Sequence, residues 1–548
     1  MSTTVAAEAP VEQQGRMTHR QILEALSGMM LAMFVAFLSS TVVSNALPTI
    51  ITDLHGTQSQ YTWVVAATLL ASTVSTPIWG KFADLFSKKL LLQLAIVVFI
   101  VGSMLAGQAH SPNGLIMFRV LQGLGLGGLQ ALVQIAMAAM ISPRERGRYS
   151  GFLGSTMAVA TVGGPLIGGL LVDTSWLGWR WCFYVGVPFA AIALVLLQRT
   201  LHLPVTKRKV SIDYLGASFL TAGVTGLLIW VTLAGSSFGW VSAETLWFVG
   251  GSVLALIAFV ITETRAAEPI VPLRLFRERT TTLAVIASVA VGVAMFGSSV
   301  FLGQYLQISR GYSPTAAGLL TVPMVGGMLV SSTISGILIS RYGRWKRYLL
   351  SGSILVVGGF ALLSALDHRT PMVLLGVFLF ILGVGIGMTM QNLVLAVQNT
   401  VAAADLGAAS SAVAFFRSLG GTIGVSVLGA VLSSHVTELI REGLAGTPYA
   451  AAASSGSGSV GLADFNEAPP ALRALIQVSY GDATGRIFLI SSLVAVVAVV
   501  AVVFIREVAL RTQSGEQRLQ TERTPADDVD AELAALEAEV AEVAPTRA

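Results

Sequence analysis

The sequence predicts an all-α integral membrane fold: two pseudo-symmetric six-helix bundles plus an inserted helix pair, fourteen transmembrane helices in all. Three observations carry this expectation. Of 548 residues, 54% are apolar and only 11% are charged, whereas a soluble domain carries about 25% charge. The charges gather in short clusters separated by apolar runs of roughly 20 residues, the length that crosses about 30 Å of hydrocarbon at ~1.5 Å per residue. Lysine and arginine are also unevenly shared between alternate loops.

Cutting at charge and Pro/Gly/Asn breaks gives helices at about 24–50, 60–82, 90–108, 113–141, 149–172, 180–199, 212–234, 245–263, 280–304, 314–340, 347–366, 371–398, 407–433 and 486–506. With the amino terminus inside, the cytoplasmic tails and loops hold 25 of the 33 basic residues and helix interiors hold 2. The remaining 6 (Arg180, Arg310, Arg369, Arg441, Arg473 and Arg486) fall outside. This is the positive-inside asymmetry; it predicts a multi-pass cell-membrane protein with both termini cytoplasmic. Residues 1–20 are polar and the first apolar stretch is long enough to span, so no cleavable signal is expected.

The expected organisation is a cytoplasmic tail (1–23), a six-helix bundle (24–205), inserted helices 7 and 8 (206–266), a second six-helix bundle (267–506) with an outer loop at 434–485, and an acidic cytoplasmic tail (507–548). The outer loop includes the low-complexity run Ala450 to Gly461. Nine acidic residues lie between Glu516 and Glu542, and Val529, Leu533, Leu536, Val540 and Val543 recur at helical spacing. The tail is read as mostly solvated.

Several classes of chemistry find no support. The one cysteine, Cys182, rules out an intrachain disulfide, and the six histidines fall in loops or near helix ends, so neither a metal site nor a cofactor nor enzymatic catalysis is expected. Nothing points to nucleic acid. Gly123-x-Gly125-x-x-Gly128 satisfies the dinucleotide pattern but sits inside an apolar helix with no preceding strand. No G-x-x-x-x-G-K-[ST] occurs, so uphill transport would have to draw on an ion gradient or a potential.

A repeat divides the chain. Gly80-Lys-Phe-Ala-Asp84-Leu-Phe-Ser-Lys88-Lys89 ends helix 2, and Gly336-Ile-Leu-Ile-Ser340-Arg341-Tyr-Gly343-Arg344 ends helix 10, 256 residues later. Both lie in loops on the same side. Such a duplication predicts two six-helix halves, the parallel-repeat logic of secondary transporters.

The first repeat resembles the helix 2–3 signature of the major facilitator superfamily, G-x-L-x-D-R-x-G-R-K, with Leu85 in place of its arginine and Ser87 in place of its second glycine. Leu115-x-x-x-Arg119-x-x-Gln122-Gly123 resembles the family's second signature. Gly164-Pro165-x-x-Gly168-Gly169 is similar to the antiporter signature. Trp179-Arg180-Trp181-x-Phe183-x-x-x-x-Pro188 and Glu268-Pro-Ile-Val-Pro-Leu-Arg274-Leu-Phe276-Arg277 resemble segments of the fourteen-helix drug:proton antiporter family. The resemblance runs from about residue 24 to 506 and implies a multidrug or natural-product exporter that works by antiport with protons.

Among the residues themselves, Arg119 is the sharpest position, because a charge inside a span must face protein or water. Gln122, Gln130 and Gln134 share its helix face. The stripe either lines a central cavity or is structural glue; Asn45 and Ser39 of helix 1 belong to the same expected cavity. Gly164, Pro165, Gly168 and Gly169 permit close packing and a bend, and the resemblance implies that they seal or hinge the cavity. Asp84, with Gly80, Lys88 and Lys89, is read as a cytoplasmic gate. Arg417 is a second intramembrane charge, nearer an end. Phe37, Gln304, Tyr305, Gln391 and Asn392 are candidate lining for an amphipathic cargo.

The antiporter family carries an aspartate in helix 1 where this chain has Ser39, and none of the 29 carboxylates falls deep in a span. Coupling therefore rests on a flanking carboxylate such as Asp53 or Asp84, on exchange beside Arg119, or on no proton at all. The competing functions are export of lipid or lipid precursors by the same fold and, remotely, a membrane receptor or enzyme. Six lysines against 27 arginines point to a bacterial source, hence a bacterial plasma membrane.

Overall fold

In the computed structural model, residues 19–56, 58–174, 177–201, 213–234, 238–266, 268–444 and 470–519 are described. The first half holds α1 (His19–Asp53), α2 (Gln58–Leu85), α3 (Lys88–Gly107), α4 (Pro112–Met140), α5 (Pro143–Asp173) and α6 (Trp181–Thr200). Then come α7 (Tyr214–Leu233) and α8 (Ala243–Arg265). The second half holds α9 (Arg279–Ser309), α10 (Thr315–Tyr342), α11 (Lys346–Leu363), α12 (Met372–Thr400), α13 (Leu406–Leu444) and α14 (Pro470–Phe504).

Thirteen of these helices are long and apolar enough to cross a membrane. The fourteenth, α5, has 31 residues but is diluted by glycine and hydroxyl side chains, so its length rather than its apolarity marks it. Local signals set the helix starts. Ser87, Ser111, Ser142, Asp213, Ser242 and Ser313 each accept an N–H of the first turn, and Pro112 and Pro143 open their helices. Gly343, at φ 71°, ends α10 in the left-handed conformation that glycine adopts without strain.

The two halves repeat each other's packing. In the first, α1 meets α5 and α6, α2 meets α4, and α3 meets α4 and α6; in the second, the helices eight places on (α9 with α13 and α14, α10 with α12, α11 with α12 and α14) do the same. The two largest contacts between the halves, α2 with α13 and α5 with α10, are each the image of the other under the same shift. Close approach depends on absent side chains: a Cβ on Gly123 or Gly127 of α4 would collide with the α2 backbone, and one on Gly125 with the α3 backbone. The glycines of the dinucleotide-like pattern therefore serve helix packing.

The inserted pair α7–α8 leans on α2 and α13. Leu220, Val224 and Leu228 of α7 and Phe259 of α8 share a buried cluster with Leu70 and Val74 of α2 and Phe415 of α13. The opposite face of α8 is exposed, Leu246, Trp247 and Leu254 included, which is what a lipid-facing helix presents.

Two expectations are corrected. The described parts of the outer loop at 434–485 are helical: α13 continues to Leu444 and α14 begins at Pro470. Leu428, Leu432, Val436, Ile440 and Leu444 recur every fourth residue and are buried in one cluster with Ile476, Ala483 and Ile487, so the apolar stripe carries both helices past the polar run at Ser433 to His435. Residues 445–469 lie outside the described residues. The carboxy-terminal tail is also not all solvated. Residues 507–519 fold back onto the bundle, burying Leu510 and Arg518. The amphipathic pattern from Val529 to Val543 lies outside the described residues.

Candidate functional site

One end of the bundle carries Asp84, Lys88, Lys89, Arg144 and Arg341 and is called here the basic end. The polar stripe on α4 reaches from near the far end toward it, and the structure divides it in two. Arg119 is 4% exposed. Its Nη1 donates to Gln122 Oε1 at 2.5 Å and its Nε to the Val64 carbonyl of α2 at 3.4 Å. Gln122 Nε2 donates in turn to Ser39 Oγ of α1 at 3.1 Å and to Ser103 Oγ of α3 at 2.7 Å. Thr68 of α2 donates to the Arg119 carbonyl at 3.3 Å. Four helices of the first half are thus tied together through the Arg119–Gln122 pair, and among the described residues no carboxylate forms an ion pair with the guanidinium.

Gln134 lies about 22 Å further along α4, at ~1.5 Å per residue. Its Nε2 donates to Gln391 Oε1 of α12 at 3.1 Å, which joins the halves. Around this pair Met137, Arg146, Asn392 and Gln398 help line a space of about 10 Å³, room for a single water. Gln130, between the two groups, is half-buried. Positions Asn45, Pro165 and Gly169 lie outside the residues whose side chains are described. Gly164 packs on Thr41 of α1, where a Cβ would collide, and Gly168 is buried; this glycine motif therefore sits at a contact inside the first half.

The expected lining residues do not form one surface. Phe37 is half-buried, continuing a stripe of partly exposed positions on α1 at Leu31, Phe34 and Ser40. Gln304 and Gln391 are half-buried as well. Asn392 is 5% exposed and donates to the Met388 carbonyl. Tyr305 is fully buried in the second half, its hydroxyl donating to the Asp367 carbonyl at 2.7 Å.

At the basic end the two seams close. Asp84 Oδ1 and Oδ2 accept the N–H groups of Gly407 and Ala408 at 2.8 Å each, so a carboxylate on α2 caps the first turn of α13, where the helix dipole favours negative charge. Gly80 and Gly407 let the two backbones meet: a Cβ on Gly80 would strike Ser411, and one on Gly407 would strike the Gly80 carbonyl and Asp84. The symmetric seam uses Gly336 of α10, the counterpart of Gly80, and Gly147 of α5, whose Cβ would strike the Gly336 carbonyl. Gly151 and Gly154 extend the same face against Thr333 and Ser332.

The second seam has no carboxylate at the repeat position. Ser340 stands where Asp84 stands, its Oγ buried without a hydrogen-bond partner. The bond between the halves here comes from Arg146, which donates to Gln398 of α12 and to the Ile141 carbonyl. The α8–α9 loop ties the first seam. Lys81 of α2 pairs with Glu268 at 2.6 Å, Arg274 pairs with Asp405 at 2.9 Å just before α13, and Glu263 accepts the N–H groups of Ile270 and Val271. Lys89 turns away from the seam and donates to the Gln198 carbonyl of α6.

Sequence reasoning found Gly80 and Asp84 but missed Gly407, Gly147, Arg146, Gln398 and the Lys81–Glu268 pair. The spacing Gly147-x-x-x-Gly151-x-x-Gly154 was a readable small-residue face. Gly147→Leu forces a branched side chain against the Gly336 carbonyl, and overpacking of this kind is worth about 1–3 kcal/mol. The expected result is a normally inserted protein in which amide exchange at residues 147–154 and 332–340 speeds up at least several-fold, read by mass spectrometry.

Comparisons with known proteins agree with this architecture. A sequence profile described as Major Facilitator Superfamily matches residues 29–425. An uncharacterised MFS-type transporter of Mycobacterium tuberculosis is 36% identical over 486 residues, covering 88% of this chain and 69% of that protein. The multidrug transporter protein MdtP of Bacillus subtilis is 30% identical over 537 residues, covering 94% and 98%. Among solved structures, the proton:xylose symporter XylE superposes with a TM-score of 0.60 at 14% identity, covering 92% of this chain and 99% of that one.

Proposed function

Because the chain belongs to the major facilitator superfamily, we propose that it is a secondary exporter of hydrophobic or amphipathic small molecules, drugs and antibiotics among them, working by alternating access in a bacterial plasma membrane. The basic end is the cytoplasmic one, which the excess of lysine and arginine in its loops supports. The single observation that carries the mechanism is the pair of symmetry-related seams, α2–α13 and α5–α10, closed at that end. The halves meet there through glycine contacts and a few polar bonds, which rocking of one half on the other can make and break.

The cargo is held between the halves, above the Gln134–Gln391 bond, against the partly exposed α1 stripe of Phe34 and Phe37. Few charges and adaptable apolar walls suit amphipathic compounds. The coupling ion is the proton, and Asp84 is the group that carries it. Its carboxylate accepts two amides across a seam that must open, and a proton on it removes the charge that strengthens both bonds. Arg119 stiffens the first half as a unit through four helices. A relative from Dothistroma septosporum that carries the name efflux pump dotC, 30% identical over 495 residues, supports an export direction.

The test is transport in reconstituted vesicles with an amphipathic fluorescent dye, imposing the pH gradient and the electrical potential separately. Dye movement driven by the pH gradient alone is the expected result. Movement indifferent to that gradient removes the antiport assignment, and the absence of movement for a broad panel of dyes and drugs overturns the exporter reading.

A further inference from the structure

The polypeptide does not leave the bundle where α14 ends. From Ile505 to Leu519 it runs across the basic end and touches both halves. On the second half, Trp345 Nε1 donates to the Val508 carbonyl at 2.9 Å, Asn399 Nδ2 donates to the Ala509 carbonyl at 3.1 Å, and Asn399 Oδ1 accepts the Arg511 N–H at 2.9 Å. On the first half, the Arg144 N–H donates to the Arg511 carbonyl at 3.3 Å. Gly515 sits between the two, where a Cβ would meet Leu406 of α13 at 2.7 Å and the Ala138 carbonyl of α4 at 2.9 Å. Glu516 lies near Lys88 of the α2–α3 turn; burial pushes its carboxyl up to about 6 while the lysine opposes the shift.

Arg518 is the deepest residue of this stretch. It is 3% exposed and donates to the Gln398 and Val401 carbonyls at the end of α12. Gln398 is the same residue that receives Arg146 of α5 through its side chain and donates to Ser410 of α13 at 2.6 Å. The stretch thus braces the polar junction that joins the halves, and its own contacts straddle them. A rocking motion that parts α5 from α10 and α2 from α13 cannot leave residues 509–518 bound to both sides.

We propose that residues 507–519 are a strap that bolts the basic end shut, with Arg518 as its gating residue, and that the strap must release from one half before that end can open. The proposal rests on the alternating-access reading above. It adds a step to the cycle: undocking of the strap precedes opening, so substrate entry from that side is gated by a segment outside the membrane bundle. Ser514 and Leu510, 9% and 8% exposed, are its other buried anchors.

The test places a cysteine at Met137, which lines the small space behind the junction, and follows its reaction with a membrane-impermeant maleimide added from the basic side of reconstituted full-length protein. The parental protein, whose single cysteine Cys182 is buried, gives the background. Arg518→Ala removes the guanidinium, and Gly515→Leu drives the strap off without touching Arg518. Each is expected to raise the labelling rate about tenfold, the shift that losing a charge-assisted hydrogen bond produces. A rate unchanged within about twofold in both variants overturns the strap. Should Arg518→Ala not yield folded protein, Gly515→Leu decides alone. If the exporter reading fails instead, no dye moves in vesicles while the labelling contrast persists, so the two failures are distinguishable.

Discussion

Asp84→Ala is expected to reduce uphill export by about ten- to a hundredfold at unchanged protein level, because it removes two hydrogen bonds to a charged acceptor, each worth about 1.5–3 kcal/mol, and leaves the first turn of α13 uncapped. Nothing nearby replaces the acceptor: the seam around it is built from Gly80, Gly407 and Ser411. Asp84→Asn keeps one acceptor oxygen and the side-chain volume but cannot exchange a proton, so its uphill export is expected to fall as far as that of the alanine variant. The measurement is the initial rate of dye efflux from energised vesicles, normalised to protein inserted. If Asp84→Ala exports at the parental rate, the carboxylate is no part of the gate and the α2–α13 seam closes on its glycine contacts alone.

Arg119→Ala carries the second large effect. Removing the guanidinium leaves Gln122 Oε1 without its donor in a buried position, a penalty of about 1–3 kcal/mol, while the Val64 carbonyl keeps its place in the α2 hydrogen-bond ladder. The first half is expected to remain folded, since Gln122 retains Ser39 and Ser103, with a thermal midpoint lowered by several degrees. Export is expected to fall by at least about tenfold. Arg119→Lys should not rescue it, because an ammonium is a compact charge and cannot present the planar fork that reaches Val64 and Gln122 together. Full export in Arg119→Ala, with the protein folded, would remove Arg119 from the transport cycle.

Much of the fold was legible. Thirteen of the fourteen expected spans are helices long and apolar enough to cross a membrane, and they followed from apolar run length, as the repeat followed from Gly80 and Gly336, because both are local and periodic signals. The α5 span was recovered in spite of its glycine content, since length survives dilution. What stayed hidden depends on contacts far apart in sequence. Gly407 is a single glycine in a chain rich in glycine, and only its placement opposite Gly80 singles it out. Gln134 was read as one stripe with Arg119 because helical phase was visible, whereas the partner Gln391, 257 residues away, was not. The ends of α13 and α14 were cut short at polar residues, although Val436, Ile440 and Ile476 continue the apolar stripe. The strap looked like solvated tail because its anchors, Leu510, Ser514 and Arg518, recur every fourth residue but only the first of them is apolar.

The asymmetry of the two seams has a consequence for coupling. One closes on a titratable carboxylate, the other on an arginine and an amide with Ser340 at the repeat position. The proton coupling proposed above can therefore act through this pair of positions only at the α2–α13 seam.

The account stands on the two halves rocking so that the basic end opens and closes, and a distance across that end tests it most directly. Spin labels at Arg148 of α5 and Arg341 of α10, both exposed, report on opposite halves beside the Gly147–Gly336 seam. Alternating access predicts two distance populations by pulsed electron resonance in bilayers, the shorter matching the closed seam, with their ratio shifting when pH is changed or an amphipathic cargo is added. A single short distance under every condition, in protein that still moves dye, would contradict it.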